Sequence, residues 1–143
     1  MKVAHIAAIT YAIISAGVVA FQLALAAGMP WGAYAMGGAF PGQFPPAMRV
    51  AAVVQAVVLA LIAGVVLARA GLVLPRWGRV ARWLIWVIVA LLGVSVVLNF
   101  VSPSGGERMI WTPVAALLLV CSLVVALGSK PGRAEHEAVR ADA

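Results

Sequence analysis

Charge is scarce in this chain. Only 10% of its 143 residues are Asp, Glu, Lys or Arg, against about 25% in a soluble domain. The apolar share is 65% and the mean hydropathy +1.11, so lipid must solvate much of the surface. Acidic residues are scarcest, four against ten Lys and Arg. No charged residue lies deep in any long apolar run. Membrane-embedded ionisable groups mark ion and proton pathways, and no inverted repeat is visible, so both absences argue against coupled transport.

One cysteine, Cys121, excludes an internal disulfide and a CxxC redox pair; it reads as a small core residue. The two histidines, His5 and His136, are too isolated for metal-ligand spacing. No Ser/His/Asp set can be assembled at one depth. No catalytic residue, no metal and no cofactor is therefore expected. Glu107 with Ser102 or Ser104 resembles an acid/base pair, but helix capping explains these residues more simply.

What the chain has is four uncharged stretches, roughly 3–28, 50–68, 83–101 and 109–128. Each meets or nearly meets the ~20 apolar residues that cross a bilayer. They predict an all-α, four-helix transmembrane bundle over residues 1–128, followed by a polar cytoplasmic tail at 129–143. The first stretch resembles a signal peptide but exceeds the usual ~7–15-residue apolar core, which predicts a retained helix.

The basic residues set an orientation. Lys2, Arg69, Arg76, Arg79, Arg82, Lys130, Arg133 and Arg140 lie on one side, and only Arg49 and Arg108 on the other. The positive-inside rule then predicts both termini of the multi-pass chain in the cytoplasm. Anionic lipid at the inner face is an expected partner. Nucleic acid is not, because no basic face extends away from the membrane.

Small residues recur at every fourth position. Span one carries Ala4, Ala8, Ala12, Ala16, Ala20 and Ala24; span two carries Ala52, Ala56, Ala60, Gly64 and Ala68. Such stripes let backbones approach closely in lipid. They predict tight packing of spans one and two, or pairing with another copy or another membrane subunit.

The segment between these spans, 29–48, has no charge and four prolines and four glycines. No regular helix or central strand survives that density. Trp31, Tyr34, Phe40 and Phe44 are too apolar for a solvated linker. An ordered irregular loop on the outer mouth is expected, either an interfacial anchor or a lid. Trp31 and Trp111 read as an outer aromatic belt, and Trp77, Trp83 and Trp86 as an inner one. Before span four, Ser104 and Glu107 fit a capping box, with Glu107 reaching back to the Ser104 amide. Pro113 predicts a kink within the span.

Neutral polar residues gather toward the outer end. Gln22, Gln55, Ser95, Asn99 and Thr112 fall within roughly 10 Å of the outer surface, by a 1.5 Å rise per residue. Trp31, Arg49, Glu107, Arg108 and Trp111 would rim the same region. Two readings stay open. The amides hydrogen-bond across helices while Glu107 pairs with Arg49 or Arg108, or the groups line an outward-facing pocket.

The same residues carry a resemblance. Phe21-Gln22, Leu23-Ala24, Gly28 to Gly32, Gly37-Gly38, Pro41-Gly42 and Pro45, followed by Asn99, Ser102, Ser104, Glu107-Arg108, Trp111 and Pro113, resemble a family of small bacterial four-span integral membrane proteins. The resemblance implies a four-helix bundle and carries no activity with it. The outer loops lack the cysteine patterns of quinone-reducing and junction-forming four-span families.

The function expected from these features is non-enzymatic, an accessory or assembly subunit of a larger membrane complex. The alternative is a binding protein for a lipid, quinone or other apolar small molecule in the outward-facing pocket.

Overall fold

The computed structural model describes residues 2–128. The expected polar tail, with Lys130, Arg133, His136 and Arg140, lies outside them. Among the described residues the protein is all-helical, with no strand. Four long helices, α1 (Lys2–Ala27), α2 (Pro46–Arg69), α3 (Gly78–Phe100) and α4 (Gly105–Gly128), are each long and apolar enough to cross a membrane. The shortest has 23 residues, about 35 Å at 1.5 Å per residue, against the ~30 Å hydrocarbon core of a bilayer. The protein is a multi-pass membrane protein.

Three helices start earlier than their apolar runs, at Pro46, Gly78 and Gly105. Apolar counting stops at a charge, whereas the backbone ladder does not. Arg49, Arg79 and Arg82 are accommodated in the first turns of α2 and α3. Pro46 is suited to the helix start, where its missing N–H leaves no bond unmade. α4 runs continuously through Pro113.

α1 and α2 end alike. The Met29 amide bonds to the Ala24 carbonyl and the Gly28 amide to that of Leu25. Leu72 to Leu67 and Gly71 to Ala68 repeat the pattern. These are Schellman caps, and Gly28 and Gly71 hold the left-handed position, at φ +99° and +78°.

Each helix packs mainly on its sequence neighbours, and α4 closes the ring on α1. The buried positions repeat by sevens. α1 buries Ala4, Ala8, Tyr11, Ser15, Gln22 and Leu25, with Ala7 beside them. α4 buries Ala115, Leu118, Ser122 and Val125, with Ala126 beside them. Alternating steps of three and four give the seam of a left-handed bundle.

α1 and α2 pack closely together, as the small-residue stripes predict, but the seam uses only part of each stripe. Four residues overshoot a helical turn by about 40°, so a four-residue series drifts around the helix. Ala4 and Ala8 are buried, Ala12 and Ala24 half-buried, and Ala16 and Ala20 are exposed. In α2, Ala52, Ala56 and Ala68 are buried, Gly64 is half-buried and Ala60 is exposed. A Cβ added at Gly64 would meet nothing within 4 Å.

The core has two parts. Toward the chain ends, all four helices contribute, with Tyr11, Val66, Ile85 and Val125 at its centre. Toward the 28–45 loop, the apolar cluster is Leu25, Phe44 and Ala52, with Phe21, Phe40 and Met48 packed on it. No residue of α3 belongs to that second cluster. Asymmetry of this kind leaves space inside the loop end of the bundle.

Candidate functional site

The space is a cavity of about 280 Å³, close to the lower end of the ~300–1,000 Å³ range of ligand pockets. All four helices and the loop line it. α1 supplies Val18, Phe21 and Gln22, and α2 supplies Met48, Ala52, Gln55 and Leu59. α3 supplies Leu92, Ser95 and Asn99, and α4 supplies Glu107, Trp111, Val114 and Leu118. Ala35, Met36 and Phe44 come from the loop.

Gln22, Gln55, Ser95 and Asn99 thus face one space, because positions 95 and 99 share a helix face and the two glutamines lie at similar depth on α1 and α2. Their hydrogen bonds do not tie helices together. Asn99 Nδ2 donates to the Ser95 carbonyl at 2.8 Å and to Ser95 Oγ at 3.2 Å, both within α3. Among the described residues, no hydrogen bond joins Gln22 or Gln55 to another helix. Thr112 does not join the group; it is outside the lining, with Oγ1 buried and unpartnered among the described residues.

The loop is built around two short turns, Gly32–Tyr34 and Met36–Gly38. Met36, Gly37 and Gly38 all have positive φ, at +56°, +69° and +74°. Glycine adopts that region freely, whereas it costs methionine about 1–2 kcal/mol. Gly32 is required by space: an added Cβ would sit 2.0 Å from the Phe40 carbonyl oxygen. Its amide donates to the Gly42 carbonyl at 2.9 Å, closing the loop on itself.

The start of α4 pins this loop. Glu107 Oε2 accepts from the Gly37 amide at 2.7 Å and from Ser102 Oγ at 2.7 Å. Ser104 Oγ donates to the Ala33 carbonyl at 2.8 Å, and Trp111 Nε1 donates to the Tyr34 carbonyl at 2.6 Å. The Phe21 ring lies 4.7 Å from that of Trp111 and 6.0 Å from that of Trp31. Trp111 is half-buried, and its indole N–H is committed to the loop.

The capping box is half-formed. Ser104 Oγ accepts the Glu107 amide at 3.2 Å, as the spacing predicts. Glu107 does not reach back; the Ser104 amide bonds to Ser102 Oγ at 3.3 Å. The carboxylate is thus free to hold the loop.

Arg49 is not the partner of Glu107. Its Nε donates to the Phe44 carbonyl at 2.9 Å and its Nη2 to Gln43 Oε1 at 3.3 Å. Its guanidinium lies over Gly28, where an added Cβ would come within 3.1 Å of Nη2. There it faces the negative end of the α1 dipole. Arg108 is exposed and lies outside the lining.

Sequence reasoning does not single out Met36, Met48 or Gly106, and it reads the loop glycines as helix breakers without their anchoring role. The doublets Gly37-Gly38 and Gly105-Gly106 were the available signal: at Gly106 an added Cβ would lie 2.7 Å from the Tyr34 ring. Chemically, the site is an apolar chamber with amides and one carboxylate at its loop end. No protein-family model, curated protein or solved structure matches the chain.

Proposed function

We propose that this protein is a non-enzymatic binding protein of the bacterial inner membrane. It holds a small molecule, largely apolar with one polar end, in the chamber beneath the 28–45 loop. Both termini face the cytoplasm, and the 70–82 segment there touches anionic lipid. The observation that carries this reading is the convergence of Gln22, Gln55, Asn99 and Glu107 on one cavity. Polar groups in lipid are costly unless they have partners or work to do, and here the amides of α1 and α2 are left available to a ligand.

Native mass spectrometry on protein taken gently from its host membrane tests the reading. A retained small molecule, lost on Gln55→Leu or Asn99→Leu with the fold intact, is the expected result. A bare bundle whose variants change only in stability would overturn it. Orientation is tested with an impermeant thiol reagent in a Cys121→Ala background: Gln43→Cys should label on intact cells, and Arg76→Cys only after permeabilisation.

A second reading, the accessory or assembly subunit, draws support from α1. Ala16, Gly17 and Ala20 are exposed, and an added Cβ at Gly17 would meet nothing, so a further helix could approach closely there. A protein partner co-purifying with the wild type and lost on Ala16→Leu or Ala20→Leu would favour it.

A further inference from the structure

We infer that the chamber recognises an organic ammonium group, so that its ligand is a cationic amphiphile. This rests on the binding reading above and specifies the chemistry of the ligand's polar end.

The first observation is a carboxylate with no cationic hydrogen-bond partner among the described residues. Glu107 is the only acidic residue before position 135, and it lines the cavity. Both of its donors among the described residues, the Gly37 amide and the Ser102 hydroxyl, are neutral and converge on Oε2. They orient the carboxylate, and the positive end of the α4 dipole, in whose first turn Glu107 sits, offsets only part of its charge. The second observation is the absence of a fixed cation among the lining residues, none of which is Lys or Arg. Arg49 rims the same end but turns to Phe44, Gln43 and the end of α1. An anionic head would meet the carboxylate with no cation to offset it; an ammonium would supply the missing charge.

The third observation concerns the remaining wall. Phe21, Phe44 and Trp111 are part of it, and aromatic side chains attract organic cations through their quadrupoles. Asn99 has its amide nitrogen engaged by Ser95, which leaves its carbonyl oxygen as the available group. Carboxylate, carbonyl and rings are all cation-accepting. Below them, Leu59, Leu92 and Leu118 form an apolar floor suited to a short hydrocarbon tail.

The experiment uses the full chain in lipid nanodiscs, with empty nanodiscs as the partition control. Hexyltrimethylammonium, 1-hexanol and hexyl sulfate share a tail and differ in head charge. The expected order is ammonium about tenfold tighter than hexanol, a preference carried by the Glu107 carboxylate, with hexyl sulfate weakest. Glu107→Gln should abolish the ammonium preference and keep hexanol binding, which also reports that the cavity survives the change. If the variant loses hexanol as well, the wild-type ranking decides. Equal binding of all three by the wild type overturns the ammonium head and leaves the chamber as a binding site. Failure of all three to bind overturns the binding reading itself.

Discussion

The Glu107 carboxylate accepts the backbone N–H of Gly37 at 2.7 Å, across 70 positions of the chain. One side chain at the start of α4 thereby fixes the left-handed turn that roofs the chamber. A charge-assisted bond of this kind contributes about 1.5–3 kcal/mol. Glu107→Ala should lower stability by that order and speed amide exchange at 36–39, with Glu107→Gln intermediate. Unchanged exchange at Gly37 in the alanine variant would refute the anchoring role.

Gly32→Ala should be severe. Its methyl would meet the Phe40 and Gly42 carbonyl oxygens at 2.0 and 2.8 Å, both on backbone that cannot yield without opening the loop. A loss of about 2 kcal/mol or more is expected from such overpacking. Gly17→Ala, where nothing lies within 4 Å, should gain about 0.5–1 kcal/mol through helix propensity. Thermal unfolding of the two variants side by side checks the contrast.

The seven-residue seam makes opposite predictions for alanines of the two stripes. Ala56 is 3% exposed, so Ala56→Leu should cost about 1–3 kcal/mol. Ala16 is exposed, and Ala16→Leu should stay within about 0.5 kcal/mol of wild type. Equal penalties would restore the four-residue stripe as the contact face.

Trp111→Phe keeps a ring against Phe21 and removes the donor to the Tyr34 carbonyl. The expected cost is about 1 kcal/mol, with faster proteolysis in the 29–45 segment. A variant as protease-resistant as wild type would show that the indole bond does not hold the loop.

Gln55 is exposed and has no bond to another helix among the described residues. Gln55→Leu should therefore leave the unfolding midpoint unchanged or raise it. A drop would mean that the amide ties helices together after all.

Much of the architecture was legible because lipid partition acts on each segment separately. Helix number, the ordered loop and the depth of Gln22, Gln55 and Asn99 follow from counting residues along single helices. The i, i+4 spacing of Ser95 and Asn99 already placed them on one face. Ser104 as the cap of Glu107 is equally local. Thr112 was misplaced in the cluster because depth says nothing about rotation, and rotation took its hydroxyl out of the cavity wall.

The sequence by itself determined four membrane-crossing helices and a loop between the first two that holds no long helix and no strand. Each of those outcomes is a property of about 20 neighbouring residues and their solvent. Only the tertiary structure decided which alanines meet, since the seven-residue seam arises from helices winding about one another. It also decided that the Glu107 carboxylate turns to Gly37 and not to Ser104 or Arg49. That choice joins residues 70 positions apart, and it exists only once the loop has folded over the bundle.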